Sequence, residues 1–371
     1  MSTSPQSLNA CRIRPYAAPG PVFALIALAA FIGAGCGGSS APSSTPPPQP
    51  IAGLTAGAWN WVDFPDSACQ DGTPTGIGVS PGTSGDLVLY LEGGGACWDA
   101  LTCLTFHTAL TGPFGRAQFE AIAAAVPGTI LDRTLAGNPF AAATLVFVPY
   151  CTGDVHAGDR VATYGSGSGA VTWRHVGRAN LAAYLRRLAV TFPAPPRVAV
   201  TGSSAGGFGA LANHDAVRAA WPAAAALLLD DSGPPLLAAD TSPTLFSAWR
   251  DAWGLDLLLD PLCGEPCHAG LAPLLGAVAA RHPQDRLALL SSERDATISF
   301  FYGLDGAAFQ AAQERMLAGA LAPLPNARSF LVAGATHTML GNPGGFTQGE
   351  PLLGWIEQAW SGDAGWSTQH P

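Results

Sequence analysis

Residues 197–207 read RVAVTGSSAGG, and this stretch decides the fold. Its first part, Arg197–Thr201, is a short apolar run, and apolar residues recur at helical spacing through Gly206–Ala220. Between the two lies a Gly-x-Ser-x-Gly pattern centred on Ser204. Between a strand and a helix, this pattern places a serine hydroxyl on a tight, exposed turn. The stretch therefore predicts a strand, a sharp turn that presents Ser204 as a nucleophile, and a helix.

The same alternation of strand and helix continues on both sides of this stretch. Short apolar runs are typical of strands that are buried on both faces. The predicted strands are Asp86–Leu91, Leu145–Pro149, Arg197–Thr201, Ala226–Asp230, Leu287–Leu290 and Arg328–Val332, and the predicted helices are Ala117–Ala125, Thr172–Val190, Gly206–Ala220 and Ala307–Ala320. This order predicts the α/β class, with an α/β-hydrolase-like, mostly parallel sheet and helices on both faces. The active site is then expected beyond the carboxyl ends of the strands.

A serine nucleophile needs a general base, and His337 is the histidine placed to supply it. In α/β-hydrolases the chain order is serine, acid, histidine. His337 follows the last predicted strand. The other histidines after Ser204 are His214 on the helix of the turn, His268 beside two cysteines, His282 at the opposite end of the sheet and His370 next to the terminus.

The acid that orients the base is predicted to be Asp295, in the loop that follows a predicted strand. Glu293 in the same loop is an alternative. Asp230 and Asp231 follow the preceding strand and are a second choice, because some hydrolases place the acid there.

The oxyanion of an acyl-transfer reaction needs fixed N–H donors. Ala205 directly follows the predicted nucleophile and supplies one. The strand ending at Leu91 continues as Glu92-Gly-Gly-Gly95, which resembles the glycine loop that supplies the other donors in lipases and esterases. The sequence thus predicts an oxyanion hole formed by Ala205 and this glycine loop, and the alternative is an ordinary flexible turn.

The first 52 residues predict export. Residues 1–35 combine Arg12 and Arg14 with an apolar run that is too short to span a bilayer, as in a signal peptide. Small residues precede Cys36, which favours a lipoprotein-type signal with a lipid on Cys36 over simple cleavage. Residues 36–52 form a Ser/Pro-rich linker, and residues 53–371 are predicted to be a single esterase domain.

Composition excludes two classes of protein. The 371 residues are 48% hydrophobic and 12% charged, which argues against disorder. The formal net charge of −9 and the absence of a basic cluster argue against a nucleic-acid partner. Removing residues 1–35 takes away two Arg and no acidic residue, which leaves a formal charge of −11.

Six cysteines remain after Cys11 and Cys36 are set aside, and an even number in an exported protein predicts disulfides. The close pairs Cys97/Cys103 and Cys263/Cys267 can each close a small loop, although six cysteines allow 15 connectivities. The alternative for Cys263, Cys267 and His268 is a metal site, but no second cluster supplies further ligands.

Taken together, these motifs resemble the pectinacetylesterase family of Notum-like carboxylesterases. The similarity lies in CQDGTPTG (69–76), YLEGGG (90–95) with the two cysteines that follow, VPYCTGDV (148–155), TGSSAGG (201–207) and DDSG (230–233). The resemblance implies an extracellular carboxylester hydrolase with the triad Ser204, Asp295 and His337, and with Gly94, Gly95 and Ala205 around the oxyanion. It also implies the disulfides Cys69–Cys151, Cys97–Cys103 and Cys263–Cys267. Family members often carry a bulky aromatic residue where this chain has Gly95 and Ala96, so a wider pocket is expected there.

The predicted reaction is acyl-enzyme hydrolysis of an acyl ester without cofactor or metal. The substrate is a short-chain acyl ester, and acetylated polysaccharide, another acetylated glycan and a polyester are comparable candidates. A membrane is a partner only through a lipid anchor at Cys36. The competing hypotheses are a catalytically inactive surface-binding lipoprotein on the same fold and, less favoured, a peptidase.

Overall fold

An eight-stranded sheet forms the centre of the computed structural model, which describes residues 47–371. These residues make one compact unit. The predicted signal peptide, Cys36 and most of the predicted linker lie outside the described residues. The strands are β1 Asn60–Phe64, β2 Thr75–Ser80, β3 Leu87–Leu91, β4 Thr144–Val148, β5 Arg160–Tyr164, β6 Val171–His175, β7 Arg197–Ser203, β8 Ala225–Asp231, β9 Arg286–Ser292, β10 Ala327–Val332, β11 Thr347–Gln348 and β12 Glu350–Pro351.

The strand order in the main sheet is β1-β2-β4-β3-β7-β8-β9-β10. The six strands from β4 to β10 are parallel and correspond to the six predicted strands. β1 and β2 add an antiparallel edge that the apolar pattern did not predict. Gly76 and Gly78 interrupt the apolar run of β2, and Gly78 leaves space for the Phe119 ring, which a Cβ there would overlap.

Nine helices surround the sheet within residues 47–371, with further short 3-10 and π turns. They are α1 Arg116–Ala124, α2 Gly177–Thr191, α3 Ala205–Ala220, α4 Pro243–Trp253, α5 Asp256–Leu262, α6 Ala272–Arg281, α7 Ala296–Tyr302, α8 Gly306–Met316 and α9 Leu352–Ser361. One core on one face of the sheet contains side chains of α2, α3, α4, α6 and α8. A second core contains side chains of α1 and α9. Successive strand residues alternate between the cores, as Val88 and Leu89 do. The α/β-hydrolase-like prediction, with helices on both faces, is confirmed.

The predicted helix Thr172–Val190 is wrong at its start. Residues 171–175 form β6, which pairs with β5 as an antiparallel hairpin. Trp173 and His175 point inward and are buried, whereas Thr172 is exposed and Arg174 half-buried, so the period there is that of a strand. The helix begins at Gly177, whose N–H donates to the Asp154 carboxylate at 2.7 Å.

The three disulfides are Cys69–Cys151, Cys97–Cys103 and Cys263–Cys267, as the family resemblance implied. Because Cys263 and Cys267 bond to each other, the metal alternative for these thiols is excluded. Disulfides fit an exported protein. Among the described helices, none combines the length and apolarity needed to cross a bilayer.

Candidate active site

Ser204 lies between β7 and α3 on a strained turn. Its φ of 60° and ψ of −119° place it in a region that residues other than glycine rarely adopt. The Ser204 N–H donates to the Asp231 carbonyl at 2.7 Å, and its own carbonyl accepts from Gly207 N at 2.9 Å. A Cβ at Gly202 or Gly206 would overlap the Leu91 carbonyl oxygen, so both glycines are needed for this close approach. The predicted strand, sharp turn and helix are present.

His337 and Asp295 meet beyond the carboxyl ends of β9 and β10. The His337 Nδ1 lies 2.8 Å from Asp295 Oδ2 and 3.0 Å from Oδ1. The Asp295 side chain is fully buried, whereas that of His337 is 25% exposed. A carboxylate partner favours the tautomer with the proton on Nδ1, which leaves Nε2 as an acceptor.

Asp295 also begins α7. Its Oδ1 accepts from Thr297 N at 3.0 Å and from Ile298 N at 2.9 Å, which caps the helix and fixes the direction of the carboxylate. The Asp295 side chain thus caps α7 and faces His337 at the same time.

Asp231 joins the turn of Ser204 to the loop of His337. Its carbonyl accepts the Ser204 N–H, and its carboxylate accepts the N–H groups of residues 339 and 340 at 2.9–3.0 Å. Thr338 N donates to Ser232 Oγ at 3.2 Å. Burial raises the pKa of Asp231. The loops that carry Ser204 and His337 are therefore adjacent.

The alternative acids have other contacts. Asp231 binds backbone N–H groups and Ser203, not an imidazole. Asp230 accepts from Gly233 N at 2.8 Å. Within residues 47–371, no hydrogen bond joins Glu293 to His337, and none joins the Ser204 hydroxyl to His337. Serine–base hydrogen bonds are often long in unliganded sites and tighten when substrate binds.

The glycine loop lies beside Ser204. Gly94 and Gly95 have φ of 152° and 73°, conformations that favour glycine. Leu110 N donates to Gly94 O at 2.6 Å. The N–H groups of Gly94, Gly95 and Ala205 have no acceptor among the described residues, so they are available to a ligand.

An apolar pocket opens next to Ser204. Gly95 and Ala96 form part of its wall. Trp249 and Trp253 stack in parallel, with ring centroids 5.8 Å apart. The sequence patterns single out only part of the lining, which comes from six segments distant in sequence: Gly95, Ala96, Val155, Ser204, Ala205, Phe208, Trp249, Trp253, Leu271, Ile298, Phe301 and Tyr302. Helical spacing relates Phe208 to Ser204, Trp249 to Trp253 on α4, and Ile298 to Phe301 and Tyr302 on α7, so it could have indicated which residues share a helix face.

Comparison with known proteins places the chain in a family. A search of curated proteins finds no match. The family model described as pectinacetylesterase matches residues 62–246. That range contains the disulfide Cys69–Cys151, the glycine loop and the turn of Ser204, and it ends before Asp295 and His337. With the fold that surrounds these motifs, the match shows that the chain belongs to the pectinacetylesterase family, and hence to the esterases.

Proposed function

We propose that the protein is a serine carboxylester hydrolase that removes short acyl groups, acetyl above all, from a polysaccharide. Ser204 is the nucleophile, His337 the general base and Asp295 the group that orients it. The observation that carries this proposal is the His337–Asp295 pair at 2.8 Å, in a loop hydrogen-bonded to the same Asp231 that holds the Ser204 backbone. Family membership supports the substrate class.

In the proposed reaction, Ser204 Oγ attacks the ester carbon while His337 Nε2 takes the hydroxyl proton. The carbonyl oxygen gains the negative charge and accepts hydrogen bonds from the N–H groups of Gly94, Gly95 and Ala205. The carbon–oxygen bond to the sugar then breaks, and His337 returns the proton to the sugar oxygen. Water, deprotonated by His337, next attacks the acyl-enzyme, and the carboxylic acid leaves as Ser204 regains its proton.

The apolar pocket supports a short acyl chain. Its free volume is about 40 Å³, and one water-sized group needs roughly 10–15 Å³ of such space. An acetyl or propionyl group fits this space, which favours a short acyl group over a long fatty acyl chain. The rings of Phe208 and Phe301 and the paired tryptophans give the acyl methyl group an apolar environment.

The net charge of the protein indicates the charge of the polymer that carries the acyl group. The formal net charge of the whole chain is −9, and a negatively charged enzyme disfavours a polyanionic substrate. A neutral or weakly charged acetylated glycan is therefore the proposed substrate. Export, supported by three disulfides, brings the enzyme to such polymers, and a lipid on Cys36 would hold it at the cell envelope.

Replacement of Ser204 by alanine tests the proposal. Ser204→Ala is expected to abolish release of p-nitrophenol from p-nitrophenyl acetate and to abolish labelling by a fluorophosphonate probe. The matched control is Ser67→Ala, which removes a buried hydroxyl that donates to the Phe64 carbonyl at 2.7 Å, far along the sheet. Full activity in Ser204→Ala would contradict the proposal. Absence of probe labelling in the natural protein would favour the inactive binding lipoprotein instead.

A further inference from the structure

A second loop, residues Tyr150–His156, holds the glycine loop in place, and we name it the clamp loop. Two of its hydrogen bonds are to Glu92 at the start of the glycine loop, one is to Gly95 at the end of that loop, and one is to Cys97 just after it. Tyr150 N donates to Glu92 Oε2 at 2.9 Å, His156 Nε2 donates to Glu92 O at 2.8 Å, Tyr150 Oη donates to Gly95 O at 2.9 Å, and Cys97 N donates to Gly153 O at 2.9 Å.

These contacts act on peptide planes next to the predicted oxyanion donors. His156 fixes the plane that contains Glu92 O, and the Tyr150 hydroxyl fixes the plane that contains Gly95 O. The N–H groups of Gly94 and Gly95 belong to the two planes in between. Since peptide units are planar, fixing the flanking planes limits the directions in which these two N–H groups can point.

The Tyr150 hydroxyl is fully used. It donates to Gly95 O and accepts from Val155 N at 2.8 Å. The ring is buried and lies 4.8 Å from the His156 ring, centroid to centroid. Removing the hydroxyl would leave one buried donor and one acceptor without their partner, while the ring would still fill its space.

His156 is a permanent donor. It is 2% exposed, and burial lowers its pKa to about 4. The ring is therefore neutral near pH 7, and because the Glu92 carbonyl only accepts, Nε2 carries the proton.

The clamp loop is itself strained and anchored. Val155 and His156 have φ of 50° and 57°, which is unfavourable, above all for a β-branched residue. The buried Asp154 carboxylate holds the loop by accepting from Thr152 Oγ1 at 2.6 Å and from Gly177 N at 2.7 Å. Strain of this kind persists where surrounding contacts impose it, and it is concentrated at functional sites.

From these contacts we infer that Tyr150 and His156 are positioning residues that aim the Gly94 and Gly95 N–H groups at the oxyanion. The inference rests on the proposed function. Neither side chain touches the reacting atoms. Because negative charge develops on the oxyanion only as the transition state is approached, misdirected donors reduce kcat and leave substrate binding nearly unchanged.

Tyr150→Phe is the decisive variant. With p-nitrophenyl acetate, we expect kcat to fall by about 10- to 100-fold, because misplacement of catalytic groups by about 1 Å costs on the order of 100-fold, while KM changes by less than about twofold. The inhibition constant of a methyl trifluoromethyl ketone, which forms an oxyanion on the serine, is expected to rise by a similar factor. The matched control is Tyr184→Phe, a buried tyrosine whose hydroxyl bonds to Ser67 away from the site; it should behave like the natural protein.

His156→Gln and His156→Phe provide a second test. Glutamine keeps an N–H donor for the Glu92 carbonyl, so it should retain more of kcat than phenylalanine does. A kcat of Tyr150→Phe within twofold of the natural value, or a lower kcat with unchanged ketone inhibition, would overturn the inference. Ser204→Ala measured in parallel separates the hypotheses: if it is inactive, such a result rejects only the positioning role, whereas if it is active, the proposed function itself fails.

Discussion

Two histidine–aspartate pairs in this molecule have the same nitrogen–oxygen distance but different surroundings. His337 Nδ1 lies 2.8 Å from Asp295 Oδ2, and His214 Nε2 lies 2.8 Å from Asp285 Oδ2. The first pair lies beyond the carboxyl ends of β9 and β10, with its imidazole 25% exposed. The second lies at the amino end of β9 with its imidazole fully buried.

The difference shows that a short nitrogen–oxygen distance does not by itself tell whether a histidine–aspartate pair serves the reaction or the stability of the fold. Asp285 also lies 2.9 Å from Arg218 Nε, so it binds two cationic or proton-donating partners in the interior. Burial is the main cause of the lowered pKa of His214. The fully buried imidazole of His214 stabilises the fold, whereas the imidazole of His337, which is 25% exposed and lies in a loop next to that of Ser204, is the proposed general base. An Asp→Asn substitution tests this contrast at Asp295, at Asp285 and at Asp260, which pairs with His268 on the surface.

Asp295→Asn is expected to have the largest effect. The asparagine oxygen can still cap α7, but its amide group would face His337 Nδ1 and favour the wrong tautomer. In a serine–histidine–aspartate triad this lowers kcat by about 10⁴-fold. Steady-state hydrolysis of p-nitrophenyl acetate measures the loss.

The control is Asp305→Asn. Asp305 caps α8 by accepting from Ala307 N at 3.0 Å and Ala308 N at 2.8 Å, and it lacks a histidine partner among the described residues. We expect unchanged activity in this variant. If Asp295→Asn kept activity within tenfold of the natural protein, the distinction between the two pairs would not hold.

Asp285→Asn is expected to affect stability instead. Removal of its charge leaves Arg218 and His214 without their shared partner in the interior, and breaking a buried pair costs about 3–5 kcal/mol. Urea unfolding followed by tryptophan fluorescence measures the change in the free energy of unfolding. The kcat per labelled active site should stay the same, and a selective loss of kcat would assign this pair a part in the reaction.

Much of the fold, and the placement of the histidines at its two ends, could be predicted from the sequence. The alternation of apolar runs and helical segments predicted the six parallel strands, and strand order then separated His337 from His282 at the other end of the sheet. The segment 171–175 was misassigned because its short alternation runs directly into a true helix. The edge strand β2 was missed since Gly76 and Gly78 break its apolar run, and Gly78 packs against the Phe119 ring. The strand β1, Asn60–Phe64, is short and includes the polar residues Asn60 and Asp63.

The clamp loop shows what one sequence cannot provide. The resemblance included VPYCTGDV, but nothing in those letters indicates that the Tyr150 hydroxyl meets the Gly95 carbonyl 55 residues away. The positive φ of Val155 arises from tertiary contacts, not from local propensity. Likewise, the apolar pocket joins residues of the glycine loop with side chains of α3, α4 and α7, which lie far apart in the sequence.

Asp260→Asn is expected to have the smallest effect. Asp260 pairs with His268 at 2.6 Å, but its side chain is 57% exposed. Surface pairs contribute about 0–1 kcal/mol because water screens the charges. Neither the free energy of unfolding nor kcat should change beyond error. A loss of unfolding free energy comparable to that of Asp285→Asn would show that burial does not determine how much each pair contributes to stability.

The close contact of α3 with β3 also bears on how this enzyme can be redesigned. Side chains at Gly202 and Gly206 would overlap the Leu91 carbonyl, so the turn that carries Ser204 admits no larger residue at either position. Altered substrate range must therefore come from the pocket wall. Ala96 and Phe208 are the positions where a change of size would alter acyl selectivity while leaving that turn in place.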